Sequence, residues 1–200
     1  GLSTTTGIPL GTSWTSPEVV SSPQYKVHTF TTVGTDTFQV TAGSGDVEYL
    51  VVAGGGSGSH GGGGAGGLLT STGYGVTAQS YSVTVGDGGT SPSASTGNGN
   101  NGDNSIFSTF TAIGGGAGGY TGSLGNTGGS GGGTGGGMGT GGASGTAGQG
   151  YTGGIENSPS PPYPSGGGGG SSANGGASGS GGNGGDGTLS SISGTATYYA

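Results

Sequence analysis

The chain has 200 residues, 61 of them glycine, and only 26% are hydrophobic; average glycine usage is about 7%, so a conventional core of the usual size is excluded. Charged residues make up only 4%, which also sets the chain apart from ordinary disordered sequences, where high net charge is the rule. Eight acids against a single Lys or Arg give a formal net charge of −7, which excludes nucleic acid, whose phosphates call for clustered basic residues.

No apolar stretch approaches the about 20 residues needed to span a bilayer, so membrane insertion is not expected. With no cysteine, disulfides and thiolate metal sites are ruled out. The first residues, Gly1-Leu2-Ser3-Thr4, lack the charged and apolar regions of a leader peptide. Scarce Lys, Arg and Cys beside abundant Ser, Thr, Gly and Asn favour an extracellular setting.

Residues 1–24 carry Pro9, Pro17 and Pro23 and read as an extended arm. Tyr25–Thr31, Thr37–Thr41 and Val47–Val52 then alternate apolar and polar residues. They are separated by the turn signals Gly34-Thr35-Asp36 and Gly43-Ser44-Gly45-Asp46, so 25–52 is expected to form a small antiparallel sheet.

Beyond Ala53 glycine recurs at every third position. Gly55, Gly58, Gly61, Gly64 and Gly67 form one run, and Gly116, Gly119, Gly122, Gly125, Gly128 and Gly131 a second. After a one-residue slip come Gly133, Gly136, Gly139, Gly142, Gly145 and Gly148, and later Gly176, Gly179, Gly182 and Gly185. A period of three is that of the polyproline II helix, with about 3.1 Å rise per residue. Collagen is excluded because it needs dense proline and the chain has 8. The remaining solution is a bundle of polyglycine II helices, hydrogen-bonded through their N–H and C=O groups and approached closely because Cβ atoms are missing. Each six-glycine run, read as one helix, would span roughly 43–56 Å.

The non-glycine segments Leu68–Val85, Asp103–Ile113 and Thr188–Ala200 hold apolar strands expected to cap the bundle. Ser158–Pro164, with prolines at 159, 161, 162 and 164, reads as a projecting loop. The expected class is therefore mainly irregular and all-β, with a small sheet at about 25–52, a bundle of polyglycine II helices capped by short strands, and essentially no α-helix. The expected regions are an arm at 1–24, the sheet at 25–52 and the glycine-rich bundle at 53–200.

Val47-Glu48-Tyr49-Leu50-Val51-Val52-Ala53-Gly54-Gly55-Gly56 runs from an apolar strand into a glycine tract. Tyr81–Gly89, Asn104–Phe107 leading to Ala112–Gly116, Gly148–Tyr151 and Gly181–Gly187 follow in order. The series, covering about 25–200, resembles the glycine-rich domain of bacteriophage tail fibres and adhesins. That resemblance implies a polyglycine II sandwich in a fibre or receptor-binding tip, with specificity in the loops at its ends.

Chemistry-bearing motifs are few. Strings fitting G-x-G-x-x-G abound, but none sits in a βαβ unit. Gly128–Gly132 matches the nucleophile-elbow string without its strand–turn–helix setting. Gly181–Thr188 partly fits a calcium-binding nonapeptide, but a single imperfect copy is expected to be a helix end. His28 and His60 are expected to face solvent. No enzymatic activity, cofactor or metal is expected.

Tyr74, Tyr151 and Tyr163, placed in loops between runs, are the candidate receptor-binding residues, with Ile155 beside Tyr151. The expected partners are further copies of the chain (a homotrimer or helical filament), another fibre subunit, or a host-surface glycan or protein. A structural protomer of an extracellular filament is the alternative function, and an ice-binding protein a weaker one.

Overall fold

In a computed structural model the described residues are 2–3, 25–92, 97–137, 141–157, 161, 164–177 and 182–200, the first pair for its backbone only. Among them there is no helix, and the class is all-β and largely irregular. The strands are β1 (Leu2–Ser3), β2 (Gly34–Gln39), β3 (Ser44–Val52), β4 (Leu68–Thr77), β5 (Ser80–Val85), β6 (Ser105–Phe107), β7 (Phe110–Ala112), β8 (Thr188–Ser190) and β9 (Thr197–Tyr199).

Strand pairing departs from the sequential sheet expected at 25–52. No strand forms over 25–31. β2 and β3 do not pair with each other: one sheet runs β1-β3-β4, a second β2-β5-β6-β7, and β8 pairs with β9. The reason lies in which faces are apolar. β3 buries Val47 and Val51 on one side while β2 buries Phe38 alone, and a shared core is closed when these residues lie on opposing sheets rather than side by side. That core holds Phe38, Val40, Val47, Val51, Val76, Tyr81, Val83, Phe107 and Ala112. Of the expected arm, the described residues Leu2 and Ser3 pair with Val47 and Asp46; the stretch 4–24 lies outside the described residues.

The aromatic rings form a continuous cluster at this end. Tyr49 stacks on Phe110 with centroids 4.7 Å apart, Tyr74 meets Phe110 edge-on at 5.1 Å, and Phe38 meets Phe107 at 6.1 Å. Offset and edge-to-face arrangements of this kind add stability beyond the area they bury.

From the sheets the chain enters extended segments whose backbone hydrogen bonds recur every third residue. Gly61, Gly64 and Gly67 donate to Gly119, Gly116 and Ile113 in antiparallel order. Gly116, Gly119 and Gly122 donate to Ser130, Gly133 and Gly136 in parallel order. This three-residue repeat is that of polyglycine II. Segment 129–136 is the axis of the lattice. Its N–H groups point to three neighbours: 130 and 133 to 62–65, 131 and 134 to 151–154, 132 and 135 to 123–126. Its carbonyls accept from three more, 116–122, 143–146 and 166–169. Six segments around one engage both polar groups of every residue from 130 to 134, which is what a buried backbone requires. Ser130 and Thr134 on this axis are fully buried.

The six-glycine runs do not continue as single long helices. The chain turns back at 120–123, where Ser123 N–H bonds the Tyr120 carbonyl, and again at 136–137 and 147–149. Gly122 and Gly148, counted into the runs by spacing, sit in these turns at φ of 70° and 77°, the left-handed region that disfavours any Cβ. Nor does one register carry the packing. An added Cβ would strike backbone at Gly61, Gly64, Gly116, Gly119, Gly125, Gly128, Gly131, Gly133, Gly142 and Gly145, but equally at Gly54, Gly63, Gly66, Gly115, Gly118, Gly129 and Gly132. A helix enclosed on all sides needs glycine in all three registers, whereas a three-stranded coil of the collagen kind needs it in one. Gly139 and Gly179 lie outside the described residues.

Candidate recognition surface at the distal end of the lattice

Segment 53–59 leaves β3 and 61–67 returns to β4, so the turn between them lies at the end away from the sheets. There Ser59 N–H bonds the Gly61 carbonyl. Segment 113–120 leaves β7 and reverses at 120–123, at the same distal end. Gly61 N–H bonds the Gly119 carbonyl there, which brings His60 over Tyr120. The two rings stack with centroids 4.7 Å apart and planes at 24°, and Thr121 Oγ1 hydrogen-bonds His60 Nδ1.

The platform is held from below. Tyr120 N–H donates to Asn98 Oδ1 (2.8 Å), and Asn98 Nδ2 donates to the Leu124 carbonyl (2.8 Å). Ser59 Oγ donates to the Gly97 carbonyl (2.9 Å). Leu124, 43% exposed, adds an apolar side chain nearby. A flat aromatic pair with hydroxyl and amide groups around it can stack on a sugar ring or anchor a protein side chain.

The residues expected to bind a receptor are not brought together. Tyr74 is not in a loop: it stands on β4 inside the aromatic cluster, its hydroxyl bonded to Ser108 Oγ (3.1 Å). Tyr151 is 48% exposed, and Ile155 is 37% exposed on the same segment. Tyr151 lies near the sheet end, where its N–H bonds Gly170, and Ile155 lies further toward the distal end. Tyr163 and much of the proline-rich loop lie outside the described residues. The signal for the His60–Tyr120 pair was present in the sequence: both residues interrupt glycine tracts next to Ser or Thr, as chain reversals do.

Gln149, within the Gly148–Tyr151 stretch of the family-like series, joins lattice to sheets. Its carbonyl accepts from Leu68 N–H, its Oε1 from Ile113 N–H (2.8 Å), and its Nε2 donates to the Thr111 carbonyl (3.1 Å). Between the sheets a cavity of about 340 Å³ is lined by Val27, Phe30, Val47, Val51, Val83 and Phe107 among others. His28 at its margin meets Phe38 edge-on at 5.3 Å. Partial burial, then the charges of Lys26 and the N-terminus, lowers its pKa below the usual 6.5. Among the described residues no three His, Cys, Asp or Glu side chains are grouped to hold a metal. Asp186, from the calcium-like string, is part of the lattice: its carbonyl accepts from Ser172 N–H.

These features define a class of protein, without helix among the described residues, in which a glycine lattice rather than an apolar core carries most of the described chain. The sequence matches the glycine-rich domain family over residues 31–200, and the chain belongs to that family. No curated protein and no solved structure shows significant similarity to it.

Proposed function

We propose that the chain is a rigid, non-enzymatic module of an extracellular fibre or adhesin, in the setting of a bacteriophage tail fibre, and that its distal end meets the host surface. The observation that carries this reading is the division of labour along the lattice. Apolar residues are spent on the sheet end, while the reversals at 59–61 and 120–123 lie at the opposite end and carry the His60–Tyr120 stack. Binding residues concentrate on loops held by a rigid scaffold.

The near-absence of Lys and Arg and the resemblance to tail-fibre glycine-rich domains support the same setting. The test is binding of the purified chain to host-cell surfaces and to a glycan panel. His60→Ala combined with Tyr120→Ala is expected to weaken binding at least tenfold, about 1.4 kcal/mol. Binding unchanged in this variant would reject the distal end as the recognition surface.

A further inference from the structure

Segment 129–136 has six lattice neighbours; segments 53–59 and 61–67 do not. Around 61–67 the hydrogen bonds reach 53–59, 113–119, 130–133 and 166–169. These four follow one another around the helix, because each is bonded to the next. Among the described residues two adjacent lattice places therefore remain open on the same side. The polar groups agree: among the described residues, the N–H and C=O groups of Gly63 and Gly66 have no protein partner, while those of 61, 62, 64 and 65 all do.

Segment 53–59 shows the same incompleteness. Its residues 53, 54, 56, 57 and 59 donate within the chain, but the N–H groups of Gly55 and Gly58 do not. These two glycines are exposed. A Cβ on Gly55 would come no closer than 3.7 Å to any atom, and on Gly58 no closer than 3.6 Å. Neither has a positive φ. Among the described residues nothing requires glycine at either position, although glycine there costs roughly 0.5–1 kcal/mol relative to alanine.

We propose that this face, formed by 53–59 and 61–67, is an interface between two copies of the chain. Unpaired donors and acceptors alternate across it at the three-residue repeat, so the face is its own complement. Around a twofold axis, 61–67 of one copy settles into the groove between 53–59 and 61–67 of the other. The partner's 53–59 then fills the second open place, beside 164–171. Charge does not oppose the contact: 53–67 contains no Asp, Glu, Lys or Arg, while the chain as a whole carries −7. Two copies meeting through 53–67 bring no like charges of these segments together. The exposed glycines then have a reason, since a Cβ would hold the two backbones apart.

The experiment is sedimentation equilibrium of the full chain from micromolar to millimolar concentration, comparing wild type with the double variant Gly55→Ala and Gly58→Ala. Wild type is expected to form a dimer, and the variant to associate at least about a hundredfold more weakly with no fall in the melting temperature of the monomer. Amide exchange supplies a readout that needs no mutation: the amides of Gly55, Gly58 and Gly63 should become protected as concentration rises. A wild-type chain monomeric throughout overturns the proposal. So does a dimer that the two methyl groups leave intact, or one that leaves those three amides unprotected.

Discussion

A methyl group meets very different surroundings at Gly131 and at Gly55. On Gly131 the added Cβ would overlap the carbonyl of Ala143, and neither backbone can retreat because each is bonded to further segments. Gly131→Ala is expected to destabilise the chain by about 3 kcal/mol or more, the upper range for overpacking, read as a fall in melting temperature. Gly55→Ala meets nothing closer than 3.7 Å, and restricting the unfolded chain stabilises by about 0.4–1 kcal/mol. Equal effects of the two substitutions would contradict the enclosed lattice. The axis also shows how a side chain is admitted: Ser130 is fully buried, its Oγ donates to the Gly170 carbonyl (3.0 Å), and Gly150 gives it room, since a Cβ there would collide with that oxygen.

Among the elements, segment 97–104 is the one whose side chains continue the lattice. Asn98, Asn101 and Asn104 recur at the three-residue spacing, and their Oδ1 atoms accept from the N–H groups of Tyr120, Ala117 and Gly114 at 2.8, 3.0 and 2.8 Å. The ladder lets side-chain amides stand where a further glycine helix would otherwise accept. Asn98 and Asn101 also donate to the carbonyls of Leu124 and Thr127. Asn101→Ala leaves the fully buried Ala117 N–H without an acceptor, and is expected to cost about 1–3 kcal/mol in denaturant melts. Asn101→Asp keeps the acceptor, loses the donor to Thr127, and should keep the Ala117 amide protected from exchange where the alanine variant does not.

That ladder also marks how far the sequence could be read. The glycine spacing announced a three-fold backbone, and the alternation of Thr37–Thr41 and Val47–Val52 announced strands. Which strands pair was hidden, because the choice depends on long-range contact of Phe38 with Phe107 and Tyr81. Tyr74 could not be assigned to the core from its neighbours Gly73 and Gly75, which look like a loop. The chain reversals within the runs were hidden too, since Gly122 in a turn and Gly119 in the lattice are the same letter at the same spacing.

For the whole molecule, stability is set by cooperative closure of the lattice, and this gives it a gradient that an apolar core would not have. An isolated polyglycine helix makes no internal hydrogen bonds and pays the full ordering entropy of glycine, so no segment persists without its neighbours. Segment 129–136 is bonded on six sides and can open only when those around it open. Segments 172–177 and 182–187 lie at the margin, where Gly184 would meet nothing within 4 Å on gaining a Cβ. Native-state hydrogen exchange should therefore place the amides of 130–135 in the slowest class, exchanging with the free energy of global unfolding. The marginal segments should open first, by local fluctuation. The gradient should be insensitive to added salt, because the bonds that create it join neutral backbone groups and charged residues make up only 4% of the chain. Axis amides that exchange as readily as those at the margin would mean that the segments fold independently, and the lattice could not act as the rigid support that the proposed distal recognition needs.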